Sequence, residues 1–78
     1  MTSNKKSSLT KNLAQRIIKL REERGISSVQ LANKIGMSKS GLRYIERDLK
    51  DPRAETLALI ADGLNVPLVE LFNFEAEQ

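Results

Sequence analysis

The stretch that most constrains this chain is residues 28–47, SVQLANKIGMSKSGLRYIER, which has the pattern of two short helices joined by a tight bend. Gly36 suits the end of a helix, because it adopts a positive φ without a Cβ clash. Ser38 suits the start of the next helix, because its hydroxyl can accept a bond from a free backbone N–H. We therefore predict helices over residues 28–35 and 39–47 that meet at a corner. Their apolar residues recur at helical spacing: Leu31, Ala32, Ile35, Leu42 and Ile45.

Residues 13–72 resemble the lambda-repressor-like, or XRE-type, helix-turn-helix domains that bind DNA. The resemblance rests on three segments: LAQRIIKLREERGIS, QLANKIGMSKSGLRYIER and ETLALIADGLNVPLVELF. It implies an all-α, five-helix domain in which helices 2 and 3 form the helix-turn-helix. The alternative is a small helical bundle that holds two helices at a corner without binding nucleic acid.

The other helices follow from local start and stop signals. Thr10 is a suitable N-cap, Gly25 is a stop, and Pro67 is well placed in a first turn. These signals predict three more helices, over residues 10–24, 54–64 and 67–72. Their core residues are Leu13, Ile17, Leu20, Leu57, Ile60, Ala61 and Leu64.

Charge is distributed unevenly along the chain. All thirteen Lys and Arg residues lie at or before Arg53, together with five acidic residues, which gives that part a net charge of +8. Residues 54–78 hold five acidic residues and no basic residue. One end should therefore attract a polyanion and the other should repel it. The alternative is an unevenly charged but otherwise ordinary solvated surface.

We divide the chain into a flexible basic N-terminal arm (residues 1–9), a helix-turn-helix domain (residues 10–74) and a short acidic tail (residues 75–78). Lys5 and Lys6 lie in the arm, and some relatives in the lambda-repressor group use such an arm to contact DNA. The alternative is a tail that only improves solubility.

The resemblance implies that helix 3 reads DNA, since an α-helix fits the major groove and its exposed side chains meet the base edges. Leu42 and Ile45 would face the core and leave the other face free. The candidate base-reading residues are Lys39, Ser40, Arg43 and Tyr44. The candidate phosphate-binding residues are Ser28, Ser38, Arg47, Lys50 and Arg53.

Five positions are interpreted by comparison with the family pattern. The resemblance implies a structural ion pair between Arg21 and Glu46. The family usually has Gln at position 28, where its amide bridges a phosphate and the reading helix, and Ser28 is too short to guarantee that bridge. Gly41 and Asp48 also depart from the pattern, because Thr, Ser or Tyr is common at the first position and Gly at the second.

The C-terminal segment has more apolar residues than a small end segment buries alone, which suggests a partner surface. We predict a homodimer interface formed by Val66, Leu68, Val69, Phe72 and Phe74. The alternative is that Leu68, Leu71 and Phe72 close the core.

The chain has no Cys and no His. This composition excludes disulfides, makes a zinc site very improbable and removes the usual acid–base and nucleophile pairs of enzymes. We expect no enzyme activity, no metal, no cofactor and no small-molecule ligand. No long apolar run indicates a membrane span, and we expect the protein in the cytoplasm.

The leading interpretation is a transcriptional regulator that binds double-stranded DNA, at a palindromic operator, as a homodimer. Size and layout resemble the stand-alone controller proteins of restriction–modification systems, and small phage repressors and antitoxins resemble it equally. A second hypothesis is a protein-interaction module that keeps the fold without binding DNA. Lys39, Ser40 and Arg43 argue against that second hypothesis, because acidic or apolar residues there would favour it.

Overall fold

The computed structural model describes residues 3–74, with side chains from residue 9 onward. Its elements in chain order are α1 (Ser3–Glu23), α2 (Ser28–Ile35), α3 (Lys39–Glu46), α4 (Ala54–Gly63) and a 3₁₀ helix (Leu68–Phe72). Residues 3–74 contain no strand, so the all-α class is confirmed. The prediction of a fifth α-helix is wrong. The last element spans five residues, a length at which the tighter 3₁₀ turn is common.

Helix α1 begins at Ser3 rather than near Thr10, so the prediction that residues 3–9 lie outside the helix is wrong for the backbone. The segment between Ser3 and Arg24 contains neither Gly nor Pro, so no residue in it strongly opposes the helix. The side chains of Lys5 and Lys6 lie outside the described residues, as do all atoms of the predicted acidic tail. Contact between the arm and DNA stays a prediction.

One hydrophobic core joins all five elements. Ile17 from α1, Leu31 from α2, Leu42 from α3, Ile60 from α4 and Leu71 from the 3₁₀ helix each have essentially no exposed surface. Their burial supplies the main favourable term for a domain of this size. The remaining core residues are Leu13, Leu20, Ala32, Ile45, Leu57, Ala61 and Leu64.

The two central helices begin at serine caps. The Ser27 hydroxyl accepts a bond from the backbone N–H of Gln30 at 3.1 Å, and the Gln30 side chain accepts one from the Ser27 N–H at 2.8 Å. This reciprocal pair is a capping box, which fixes the start of α2. The Ser38 hydroxyl accepts from the Gly41 N–H at 3.0 Å and starts α3 in the predicted place.

All four α-helices end in the same type of turn, the Schellman motif. A residue in the left-handed region follows each helix, and the N–H of the next residue donates back to a carbonyl of the last turn. The left-handed residues are Gly25, Gly36, Asp48 and Asn65, with φ between 59° and 73°. The closing bonds run from Ile26 to Arg21 (3.3 Å), from Met37 to Ala32 (2.9 Å), from Leu49 to Tyr44 (2.8 Å) and from Val66 to Ala61 (3.0 Å).

The residue that closes the turn usually packs back onto its helix. Ile26, Met37 and Val66 do so, because each is partly buried against the core. Leu49 does not, since 67% of its surface is exposed. The four helix ends therefore share one backbone geometry but differ in where the closing side chain lies.

Candidate nucleic-acid interface

Helix α3 is anchored by two buried apolar residues, and its opposite face is exposed to solvent. Leu42 is fully buried and Ile45 is 3% exposed. Because these two positions hold one face of the helix against the core, the residues on the other face are free. All four candidate base-reading residues lie there and are exposed: Lys39, Ser40, Arg43 and Tyr44.

The bend between α2 and α3 is short and fixed by backbone bonds. Gly36 has φ 73°, which it adopts without a Cβ clash, and the Met37 N–H donates to the Ala32 carbonyl at 2.9 Å. Ala32 is completely buried and leaves room for the two helices to approach. The structure thus places a short exposed helix on a rigid corner, which is the geometry of a helix-turn-helix.

An ion pair fixes α3 against α1 and the start of α2. Arg21 Nε donates to Glu46 Oε2 at 2.8 Å, and Arg21 Nη2 donates to Glu46 Oε1 at 3.2 Å. Arg21 Nη1 also donates to the Ile26 carbonyl at 2.9 Å. Both side chains are largely buried, at 13% and 7% exposed. A two-pronged pair of this kind fixes orientation as well as distance, so the structure brings together the two residues that the sequence paired.

The Ser28 side chain belongs to this ion-pair network. Its hydroxyl donates to Glu46 Oε1 at 2.7 Å, so the hydroxyl proton is already committed within the protein. A phosphate at this place would meet the backbone N–H groups in the first turn of α2. Sequence analysis placed Ser28 among the phosphate-binding residues and missed Glu46 as its partner, because residues 28 and 46 meet only once the two helices cross.

The other candidate phosphate-binding residues are placed in two groups. Arg47, directly after α3, lines one open cleft together with Arg43, Ser28 and Val29. Lys50 and Arg53 lie further along the loop towards α4, and both are exposed. Arg53 has a distant contact with Glu55, at 3.9 Å between two highly exposed side chains, which contributes little stability.

The Ser38 hydroxyl accepts the capping bond from Gly41 and keeps its own proton available for a phosphate oxygen. Gly41 itself has little free space beside it, because a Cβ there would lie 3.0 Å from the Ser38 hydroxyl. Gln30 occupies the same position after the Ser27 cap and carries a Cβ, so this distance does not by itself require glycine at position 41.

The predicted dimer residues divide into two sets. Val66 and Phe74 are partly buried against the core. Leu68, Val69 and Phe72 are exposed at 44%, 68% and 42% of their surfaces. Leu71, which lies between them, is fully buried and anchors the 3₁₀ helix. The alternative in which Leu68 and Phe72 close the core is therefore wrong, and three of the five predicted residues present an apolar surface.

The 3₁₀ helix that carries this apolar surface is held against α1 by a contact that the sequence did not predict. Arg16 on α1 donates to Glu70 twice, from Nε to the backbone carbonyl and from Nη2 to Oε1, each at 2.9 Å. The bond to the backbone holds the 3₁₀ helix at one position along α1. The two partners are 54 positions apart in the sequence, so no local sequence signal predicts the pair, whose formation depends on the tertiary fold.

Within residues 3–74, no helix is long and apolar enough to cross a lipid bilayer. Acidic, Cys or His side chains in the same part of the chain form no group of three that would suit a metal ion. The candidate functional surfaces in the described residues are the α3 face with its flanking cations and the exposed apolar side chains of the 3₁₀ helix.

Comparison with known proteins finds similar chains among bacterial and phage regulators. A profile of the helix-turn-helix family HTH_3 matches residues 17–71. The HTH-type transcriptional regulator SutR of Escherichia coli K12 is 44% identical over 59 residues, which cover 76% of this chain and 33% of SutR. The immunity repressor protein of Bacillus phage phi105 is 43% identical over 54 residues, which cover 69% of this chain and 38% of the repressor. The chain thus spans about a third of the length of these curated relatives.

Solved structures of similar fold include two restriction–modification controller proteins. C.AhdI from Aeromonas hydrophila superposes with a TM-score of 0.79 at 27% identity, covering 81% of this chain and 96% of C.AhdI. C.Esp1396I, crystallised as a tetramer in complex with its natural 35-base-pair operator, superposes with a TM-score of 0.77 at 31% identity, covering 82% of this chain and 84% of that protein.

Proposed function

Because the chain belongs to the helix-turn-helix family HTH_3, we propose that it is a sequence-specific transcriptional regulator that binds a palindromic operator as a homodimer. The observation that carries this proposal is the α3 face. Four adjacent polar or aromatic side chains, Lys39, Ser40, Arg43 and Tyr44, are exposed on a helix whose opposite face is locked into the core. Many DNA-binding proteins contact base edges in the major groove with such side chains on an exposed α-helix.

The cations around α3 support DNA as the partner. Arg47, Lys50 and Arg53 are exposed in the segment that follows the reading helix. Contacts from such residues to phosphates fix the register of a protein on the duplex, whereas base contacts on α3 would provide specificity. Residues 54–74, which contain Glu55, Asp62 and Glu70 and no basic residue, would lie away from the DNA.

A homodimer is supported by the exposed apolar side chains of the 3₁₀ helix: Leu68, Val69 and Phe72. One domain of this size presents a single reading helix and covers only a few base pairs. Two copies related by a two-fold axis read a palindrome with half-sites about one helical turn apart, which raises specificity against a genome of competing sites.

Within this class, a restriction–modification controller is one candidate and a phage repressor is another. The first is favoured by the fold match to C.AhdI, of which this chain covers 96%. The second is favoured by the 43% identity to the phi105 immunity repressor. Either role places the protein in the cytoplasm with the bacterial DNA. A protein-interaction module remains the competing class, and the exposed Lys39 and Arg43 on α3 count against it.

The decisive experiment selects bound sequences from random DNA and then measures affinity for the selected operator over a range of salt concentrations. A palindromic consensus and a steep fall of affinity with salt are expected, because each phosphate contact adds about −0.9 to the slope of log K against log salt. Failure to enrich any sequence, with affinity indistinguishable from that for random DNA, would refute sequence-specific binding.

Two lysine variants separate base reading from phosphate binding, and each removes one positive charge. Lys39→Ala should relax the preference at a particular base pair, by about 1–3 kcal/mol. Lys50→Ala should weaken binding to all sequences about equally and make the salt slope shallower by about 0.9. If the two variants had the same effect on the selected consensus, the division of roles between α3 and the following loop would be wrong.

A further inference from the structure

Leu49 differs from the three residues that occupy the same place after the other helices. In each Schellman turn the closing residue follows a left-handed residue and donates its N–H to the last helical turn. Ile26, Met37 and Val66 pack against the core, while Leu49 is 67% exposed. A single exposed leucine is common on protein surfaces and by itself indicates nothing. The comparison within one chain shows that the usual inward packing of this position is absent only after α3.

The backbone around Leu49 is fixed although its side chain is free. The Leu49 N–H donates to the Tyr44 carbonyl at 2.8 Å, and the Asp48 N–H donates to the Ile45 carbonyl at 3.1 Å. These two bonds hold Leu49 against the last turn of α3. Tyr44, which is 51% exposed, lies in that same turn. An apolar side chain is therefore held at the end of the reading helix.

Charged side chains surround Leu49. Arg47, Lys50 and Arg53 are exposed within four residues of Leu49, and Asp48 and Asp51 lie between them. An apolar protein partner docking here would have to remove these charged side chains from water, which is unfavourable. The apolar 3₁₀ helix has no such cations and contains Glu70 instead. Because Leu49 directly follows the helix that we propose to contact DNA, the partner that it would meet there is a polyanion with apolar groups of its own.

We propose that the Leu49 side chain packs against the 5-methyl group of a thymine in each operator half-site, next to the bases read by α3. The thymine methyl is the apolar group that a base pair presents in the major groove. This assignment rests on the proposed DNA-binding function. It adds to that proposal the identity of one base, a thymine, at one edge of each half-site. Leu49 then acts as a specificity residue that contributes no hydrogen bond.

The test replaces each thymine of the selected operator in turn by deoxyuridine, which removes only the methyl group. For the wild-type protein, substitution at one symmetry-related pair of positions should weaken binding about three- to fivefold per half-site, as expected for one buried methyl group. Leu49→Ala should bind the thymine operator more weakly and lose its sensitivity to deoxyuridine at that position alone. Leu49→Met, which keeps an apolar side chain of similar length, should restore the sensitivity.

Leu59→Ala is the matched control, because Leu59 is an exposed leucine on α4, 47% exposed and outside the segment that carries the cations. It should keep the wild-type response to deoxyuridine at every position. Thermal melting of all variants verifies the fold, and sedimentation verifies their association.

Three results would overturn the assignment. The first is a Leu49→Ala protein that keeps the wild-type sensitivity at every thymine, and the second is a uniform loss of affinity with an unchanged deoxyuridine profile. The third is a loss of self-association, which would place Leu49 in a protein interface. A wild-type protein that binds no operator would refute the proposed function and this inference together, whereas the three results above leave the function intact.

Discussion

At the scale of single residues, Arg21 and Glu46 make the most connected contact in the described part of the chain. Glu46 accepts hydrogen bonds from Arg21 and from Ser28, and Arg21 also holds the Ile26 carbonyl. These four residues belong to α1, the turn after it, α2 and α3. The Glu46 carboxylate therefore adds to Leu42 and Ile45 in fixing the orientation of α3.

Replacing Glu46 by Ala should destabilise the domain by about 3 kcal/mol, because it leaves the largely buried Arg21 guanidinium without its counter-charge. Equilibrium urea unfolding followed by circular dichroism measures the loss. The double variant Arg21→Met, Glu46→Leu is the control. It should recover most of the stability, since replacing both charges by apolar groups avoids the unpaired charge. A double variant as unstable as Glu46→Ala would show that the pair itself, and not the orphaned charge, supplies the stability.

At the scale of elements, α2 and α4 meet at Gly63. A Cβ on this residue would lie 2.5 Å from Ile35 Cγ2 and 2.9 Å from Leu31 Cδ1. In addition, Lys34 Nζ donates to the Gly63 carbonyl at 2.8 Å, which satisfies the end of α4 from the side of α2. The two helices can therefore approach this closely only because Gly63 has no side chain.

Gly63→Ala should lower the free energy of unfolding by about 1–3 kcal/mol, because the added methyl group overpacks a tight contact. The sign of the change in unfolding free energy is informative, because helix propensity alone would make Ala more stable than Gly by about 1 kcal/mol. Ala58→Gly on the exposed face of α4 is the control and should cost only that propensity difference. Chemical denaturation of both variants gives the comparison. A Gly63→Ala protein more stable than wild type would mean that Leu31 and Ile35 repack without strain.

The local part of this architecture could be read from the sequence, while the parts that depend on helix crossings could not. Ser38 and Gly36 mark the bend of the helix-turn-helix through their own chemistry, and the predicted bend is where the structure has it. After α4 the left-handed residue is Asn65, with φ 59°, whereas Gly63 lies within the helix. The crossing of α2 and α4 that requires Gly63 has no local signature.

The same limit applies to the candidate site. Spacing around Leu42 and Ile45 was enough to predict which α3 side chains are exposed. Other features depend on how distant segments meet. Ser28 contacts Glu46, and Arg16 contacts Glu70. Leu49 points outward because it makes no contact with the core. Periodicity along one helix gives no information about such pairs.

At the scale of the whole molecule, the α3 surface that we propose to read DNA and the apolar 3₁₀ helix belong to different segments of opposite charge. If the apolar surface forms the dimer contact, Val69→Glu should yield a folded monomer, because Val69 is 68% exposed and its replacement removes nothing from the core. Affinity for the palindromic operator should fall about a hundredfold or more, since the second half-site no longer binds as part of one unit.

Sedimentation at micromolar concentration and operator titration measure these two effects. Ala58→Glu adds the same charge at an exposed position of α4 and should leave both unchanged. A wild-type monomer at that concentration, binding tightly and one-to-one to a non-palindromic site, would contradict the dimer.

The contacts between Arg16 and Glu70 have a consequence for any dimer that would form through the 3₁₀ helix. A five-residue 3₁₀ helix has no stability of its own, so residues 68–72 stay ordered only while Leu71 remains in the core and Arg16 holds the backbone of Glu70. Such a segment opens with a smaller free energy than global unfolding requires. In a dimer built on this element, subunit pairing and local folding form one equilibrium: a docked partner suppresses the open form, and each opening releases the partner.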